Sequence, residues 1–189
     1  MPSSISLPQL NATRSYIHDA ERYLGRVTSI IAHTAFIILI IRFFIAEPGI
    51  TDGISMEPTI RDHTMFTVEK ISPIIISPKR FDIVQHIEPI KLDQSFVKRI
   101  IGLPGETVTI KQNSVFIRES GGEEYMLSEP YLRPDVVISV PYRAQREFLL
   151  ADNEYFVLGD NRQNSNDSRA YGPVHRNLIT GKVFPFVLH

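Results

Sequence analysis

The apolar pattern of the chain changes period near residue 47. Val27 to Ala46, VTSIIAHTAFIILIIRFFIA, is a mostly apolar stretch. Twenty helical residues rise about 30 Å, the thickness of a bilayer's hydrocarbon core, so the stretch predicts a transmembrane helix. His33 and Arg42 interrupt it; Arg42 lies one turn from the end, where a long side chain reaches the interface. A core helix would show a polar residue every third or fourth position. A cleavable leader would have a shorter apolar run and an Ala-x-Ala before residue 47. The segment therefore reads as an uncleaved anchor.

From Glu47 onward the pattern is extended. Short β-branched and aromatic runs alternate with Pro, Gly, Asn and Asp: Met65–Val68, Ile74–Ile76, Phe81–His86, Phe96–Ile101, Thr107–Ile110, Val115–Arg118, Phe148–Leu150 and Tyr155–Leu158. Such spacing predicts a mostly β fold, an antiparallel meander or barrel-like domain behind a single N-terminal transmembrane helix. Leu103-Pro104-Gly105-Glu106 predicts a type II turn, with proline fixing φ and glycine supplying φ > 0. Gln112-Asn113 predicts a hairpin tip. Gly121–Glu124 and Tyr142–Glu147 read as surface connections. The expected organisation is a short cytoplasmic lead over 1–26, an anchor over 27–46 and an exterior domain over 47–189.

Orientation follows from the flanks. Arg14, Arg22 and Arg26 precede the span, whereas Glu47 and Asp52 follow it with no Lys or Arg before Arg61. The positive-inside rule leaves the N-terminus in the cytoplasm. Of the 20 basic and 21 acidic residues, Arg14, Arg22, Arg26, Arg42, Asp19 and Glu21 lie before residue 47, which leaves 16 and 19 outside. That near-neutral, mildly acidic balance argues against a nucleic-acid partner. The 189 residues contain no cysteine, which removes disulfide scaffolds, thiolate metal sites and thiol nucleophiles. No HExxH or related spacing suggests a metal, and no glycine-rich phosphate loop implies a cofactor.

Three clusters carry candidate chemistry. In Asp52-Gly53-Ile54-Ser55-Met56-Glu57-Pro58-Thr59, Gly53 permits a tight turn from which Ser55 can project its hydroxyl and offer its own N–H to an oxyanion. In Phe96-Val97-Lys98-Arg99-Ile100-Ile101, period two puts Lys98 between Phe96 and Ile100 on one face. Desolvation there lowers a lysine pKa towards that of a general base. The third, Leu158 to Gly172, follows an apolar strand with two aspartates, two arginines, three asparagines and two serines, the composition of a semi-buried polar network. His63, His86 and His175 lack a nucleophile-elbow partner for a Ser-His-Asp triad.

In this order behind a membrane span, the clusters resemble those of type I signal peptidases, membrane-anchored serine proteases that remove signal peptides from exported proteins. Gly53–Thr59 resembles the nucleophile box, Phe81-Asp82-Ile83-Val84 a strand box, Val97–Glu106 the lysine box and Gly159–Gly172 the final polar box, with a weaker likeness over Gly181–Val183. The resemblance implies a Ser55 nucleophile and a Lys98 general base, with no cofactor. Ser165 would hydrogen-bond the lysine amine, and Asp160, Arg162, Asp167 and Arg169 would shape the site as ion pairs. It also implies a substrate strand paired near Ile50–Gly53 and Ser95–Val97, with small pockets selecting Ala-x-Ala before the cut. Gly53, Ile50, Met56, Phe96 and Val97 are the expected cleft residues.

The implied partners are exported preproteins, the lipid bilayer and the vicinity of the secretion translocon, with the catalytic domain on the extracytoplasmic side. Two departures stand out. Gly53 occupies a position where some members carry a serine oxyanion donor, leaving Gly53 N–H or a water as the second donor. Gln163 stands where an aspartate is common. Competing readings are a self-cleaving Ser–Lys repressor, a peptidase dedicated to one substrate such as a pilin, and an anchored β module that only binds exported proteins.

Overall fold

The computed structural model describes residues 7–133, 136, 138 and 147–185. The chain divides into two compact units, Met1–Phe43 and Phe44–His189. In the first, helix α1 covers Leu7–Ile40, and a π-helical turn over Ile41–Ile45 spans the boundary with the second. Within α1, His18–Ile40 is long and apolar enough to cross a membrane. The helix thus starts well before the expected Val27, and Ala46, the last expected residue of the span, already belongs to strand β1. Pro48 explains that end, since it cannot continue a helix and turns its predecessor extended.

The regular structure of the second unit is mostly antiparallel sheet. Its strands are β1 (Ala46–Ile50), β2 (Met65–Glu69), β3 (Ile83–Ile87), β4 (Ser95–Gly102), β5 (Thr107–Lys111), β6 (Ser114–Arg118), β7 (Glu124–Met126), β8 (Glu147–Leu149), β9 (Glu154–Leu158), β10 (Val174–His175) and β11 (Ile179–Pro185). Two short helices, α2 (Ser72–Ile75) and α3 (Ser168–Tyr171), interrupt them. One sheet runs β1-β2-β11-β3-β4-β9-β10 and the other β7-β6-β5-β8.

Strands consecutive in the chain make five of the nine neighbour pairs, as in a meander, but β11 inserts between β2 and β3 and forces residues 70–82 to cross back over the sheet. Ile74–Ile76, expected as a strand, lies in that crossing, and its first two residues end α2. Pro73 at the start of α2 favours the turn, and Glu69 Oε1 accepts from Ile71 N–H and Ser72 N–H. The Gln112-Asn113 tip has φ of 52° and 60° at its two residues, the left-handed pair a tight hairpin needs. The type II turn also forms: Gly105 has φ 79°, and Glu106 N–H donates to Leu103 O. Of the expected Tyr142–Glu147 connection, residues 142–146 lie outside the described residues, and Glu147 opens β8.

Strand β4 is the hinge of the packing because it is buried on both faces. Ile101 joins Val108, Ile117, Phe148, Phe156 and Leu158 in the core that binds the two sheets together. Ile100 points the other way, into Val84, Tyr155, Val157, Val174 and Ile179. A third cluster unites Met56, Ile60, Phe66, Val68, Ile83 and Val183 beneath the turn that carries Ser55. Burying each such aliphatic side chain contributes about 1.5–3 kcal/mol, so β4 and the turn are held rigidly where they meet.

Candidate active site

Ser55 stands in the turn after β1. Glu57 N–H donates to Ile54 O and Ile60 N–H to Met56 O, and Met56 and Ile60 anchor the turn in the third core cluster. Gly53, with φ 116°, makes the entry that a side chain would strain. Its N–H donates to Asp62 Oδ1 at 2.8 Å. That bond, foremost, holds the Asp62 carboxyl below its ordinary range. Gly53 N–H, one of the two candidates for the second oxyanion donor, is thus engaged by Asp62 in the absence of substrate. Ser55 N–H forms no hydrogen bond with any described residue.

Lys98 approaches from β4, 43 residues away in sequence, and its Nζ donates to Ser55 Oγ at 2.8 Å and to Val97 O at 3.0 Å. Phe96 covers it, with the ring centroid 5.1 Å from Nζ. Lys98 is 2% exposed. Burial lowers its pKa from 10.5 to about 8, against the pull of Asp167 and Asp160 and with help from Arg169. A lysine in this state is partly neutral near pH 8. Once neutral, it keeps an N–H for Val97 O and turns its lone pair towards the Ser55 hydroxyl.

The polar box closes the other side. Asn161 N–H donates to Ser55 O at 3.0 Å and Asn161 Nδ2 to Ile54 O at 3.2 Å, pinning the backbone at Ser55. Asp160 takes both Arg99 Nε (2.8 Å) and Nη2 (2.6 Å), so the residue beside Lys98 ties the box to β4. Asp167 accepts from Arg169 and from Gly159 N–H at 3.0 Å. Arg162 donates to Glu129 and to Tyr131 Oη, and its Nε reaches Gly159 O. The four expected ion-pair residues are thus all paired, two of them with partners outside the box.

Ser165 departs from expectation. Lys98 Nζ bonds Ser55 and Val97, whereas Ser165 Oγ is buried with no hydrogen-bond partner among the described residues. Arg169 fixes its loop by donating to Arg162 O and Ser165 O, and the hydroxyl packs against Gly159. Met56 is likewise packed in the core rather than lining an open wall. Ile50 is exposed on β1, an edge strand that pairs with β2 alone. Val97 packs partly on the third cluster, and the outer edge of Ser95–Lys98 is open because β9 pairs with β4 only from Arg99 onward.

Sequence reasoning did not single out Asp62, Glu129 or the Arg99–Asp160 pair; their partners are far apart in the chain and carry no local signature. Asn161 was visible only as one asparagine of the polar box. His86 is fully buried between Phe96 and Tyr171, its Nε2 3.2 Å from Tyr171 Oη, and burial lowers its pKa to about 4. Among the described residues, no group of three or more His, Cys, Asp or Glu converges to hold a metal.

A family model described as signal peptidase, peptidase S26, matches residues 24–188. The probable signal peptidase I-2 of Synechocystis sp. is 35% identical over 157 residues, covering 80% of this chain and 67% of that protein. Signal peptidase I of Bacillus licheniformis is 36% identical over 158 residues, covering 78% and 82%. A crystal structure of a signal peptidase I from Enterococcus faecalis is 34% identical, with a TM-score of 0.45 over 57% of this chain and 97% of that one. With the family model spanning most of its length and both curated relatives covered over two thirds or more of theirs, the chain belongs to the signal peptidase, peptidase S26, family.

Proposed function

We propose that Ser55 is the nucleophile and Lys98 the general base with which this chain cuts signal peptides from exported preproteins. Family membership makes it a membrane-anchored serine endopeptidase acting on preproteins with signal peptides. One observation carries the assignment of residues: a buried lysine amine lies 2.8 Å from a serine hydroxyl on a separate element.

A serine hydroxyl is too weak an acid to attack an amide unaided. Neutral Lys98 takes the Ser55 proton as Oγ attacks the scissile carbonyl, and Ser55 N–H faces the developing oxyanion. The ammonium then gives its proton to the leaving amine, which departs as the mature protein's N-terminus. Lys98, neutral again, takes a proton from water. That water attacks the acyl ester as it loses its proton, Lys98 returns the proton to Ser55 Oγ as the bond from Oγ to the acyl carbon breaks, and the signal peptide leaves as a carboxylic acid that ionises in solution. The substrate strand pairs with the free edges of β1 and of Ser95–Val97, and small side chains such as Ala-x-Ala fit before the cut. Residues 1–26 form a cytoplasmic lead, the apolar helix crosses the bilayer once, and residues 47–189 work on the outer side beside the secretion translocon.

The test is cleavage of a preprotein with an Ala-x-Ala site by wild type, Ser55→Ala and Lys98→Ala in detergent between pH 6 and 10. Wild type alone is active, with a rate that rises through an ionisation near pH 8. Cleavage by either variant at a rate near wild type refutes the dyad.

A further inference from the structure

The chain enters the turn that carries Ser55 through a clamp. After β1, residues 51–53 run beside the loop over 61–64 that leads into β2. Thr51 N–H donates to Thr64 O at 3.0 Å, and Thr64 N–H returns a bond to Thr51 Oγ1 at 2.8 Å. The Thr51 hydroxyl donates to Arg61 O at 2.7 Å, and His63 N–H donates to Thr51 O at 3.1 Å. These bonds all end on Thr51. The Asp62 side chain carries the clamp two residues further, because its Oδ1 accepts from Gly53 N–H at 2.8 Å.

The carboxylate is held in place by its own neighbour. Its Oδ1 also accepts from His63 N–H at 2.9 Å, and its Oδ2 lies 3.0 Å from His63 Nδ1. Gly53 needs such a restraint. At φ 116° it has no Cβ to confine it, and a glycine has more backbone freedom to lose than any other residue. It stands two residues before Ser55, so rotation there re-aims the peptide that bears Ser55 N–H. Beyond the glycine, Asn161 Nδ2 and Glu57 N–H hold Ile54 O, and Asn161 N–H holds Ser55 O. The backbone at Ser55 is therefore gripped on two sides, by the polar box through its carbonyl groups and by Asp62 at its entry.

We infer that Asp62 is a positioning residue, whose hydrogen bond to Gly53 N–H fixes the entry of the turn and thereby the aim of Ser55 Oγ and N–H at the scissile carbonyl. The inference rests on the nucleophile reading of Ser55 above. Aim of this kind is felt in the transition state more than in substrate binding, so its loss lowers kcat and spares KM. The same bond could do the opposite if it withheld Gly53 N–H from the oxyanion; its removal would then free a donor and raise kcat. The two roles differ in sign.

The test is kcat and KM on a soluble Ala-x-Ala peptide for the full chain in detergent, as wild type, Asp62→Ala, Asp62→Asn and Ser55→Ala. The Asp62 side chain is 34% exposed, so its variants fold, as matching denaturation midpoints verify. Asp62→Ala lowers kcat by about 10- to 100-fold and leaves KM within about twofold. Asp62→Asn stays within about threefold of wild type, because its amide oxygen still accepts from Gly53 N–H. In both, the acid limb stays near pH 8, since the surroundings of Lys98 are unchanged. A kcat for Asp62→Ala equal to or above that of wild type overturns the inference, and a rise assigns Gly53 N–H as a withheld donor. Equal losses in the alanine and asparagine variants also overturn it, because charge and not the bond would be acting. A raised KM with kcat kept overturns it in favour of contact with substrate. Cleavage by Ser55→Ala at a rate near wild type overturns the nucleophile reading and the inference with it.

Discussion

Phe96→Ala tests whether dryness makes Lys98 a base. The ring lies 5.1 Å from the amine and covers one side of it, and burial is the first cause of the fall in pKa from 10.5 to about 8. At pH 7 a lysine of pKa 8 is about 10% neutral, and one of 10.5 about 0.03%, a difference of about 300-fold in free base, or about 3 kcal/mol. The ring also attracts the ammonium, by about 1 kcal/mol at a desolvated site, so its loss has two opposed effects. Hydration is the larger, because water admitted through the gap solvates the charged form. The expected result, read from kcat/KM on a soluble peptide between pH 6 and 10.5, is an acid limb displaced upward from 8. Activity at pH 7 falls by up to about 300-fold and recovers towards pH 10. A uniform loss with the limb unmoved would show that Phe96 only holds substrate, and a wild-type limb near pH 6.5 would point to a histidine base and refute the role of Lys98.

Three further perturbations follow from the same geometry. Asp160→Asn leaves the buried Arg99 guanidinium without its carboxylate and costs about 3 kcal/mol of stability, measured by denaturant titration of the detergent-solubilised chain; a cost below about 1 kcal/mol would mean that water already compensates the pair. Gly159→Ala places a Cβ 2.5 Å from Ser55 O and against the Ser165 hydroxyl, so the nucleophile's backbone must shift; peptide cleavage should fall sharply, and unchanged kcat would refute the tight coupling of box and turn. Lys98→Met removes a group that is costly to charge in the folded state. Its folded pKa is depressed from 10.5 to about 8, so the wild type bears a penalty of about 3 kcal/mol below pH 8 that disappears as pH rises to 10.5. The variant is inactive yet more stable at pH 7, with an advantage that shrinks over that window; a pH-independent difference would refute the depressed pKa.

What the sequence showed was largely local. The turns Leu103–Glu106 and Gln112-Asn113 are written in residue types with special φ, and both form. Alternation in Phe96–Ile101 placed Lys98 and Ile100 on one face, and the cores divide there. The failures share a different cause. Three successive isoleucines at 74–76 look like a strand, but a carboxylate cap on Glu69 and Pro73 decide for a turn. Strand β11 carries Gly181 and Pro185, poor strand formers, and is held by partners about a hundred residues earlier; only the assembled sheet calls for it. Arg99 and Glu129 likewise acquire meaning only once Asp160 and Arg162 arrive beside them.

The polar box poses an electrostatic problem that its pairing resolves. Asp160 and Asp167 both raise the Lys98 pKa, and two unpaired buried carboxylates near an amine would keep it protonated and useless as a base. Neither aspartate is dispensable, because Asp160 bolts the box to β4 and Asp167 holds Gly159 N–H and the start of α3. Arg99 and Arg169 neutralise them in place, at 2.6 and 2.7 Å, and Arg169 itself lowers the lysine pKa. With the carboxylates answered by their own guanidinium groups, desolvation by Phe96 and the surrounding core becomes the largest influence left on Lys98. In the proposed mechanism the arginines therefore serve Lys98 without touching it: they let the fold use buried acids as struts while the lysine between them can lose its proton near pH 8.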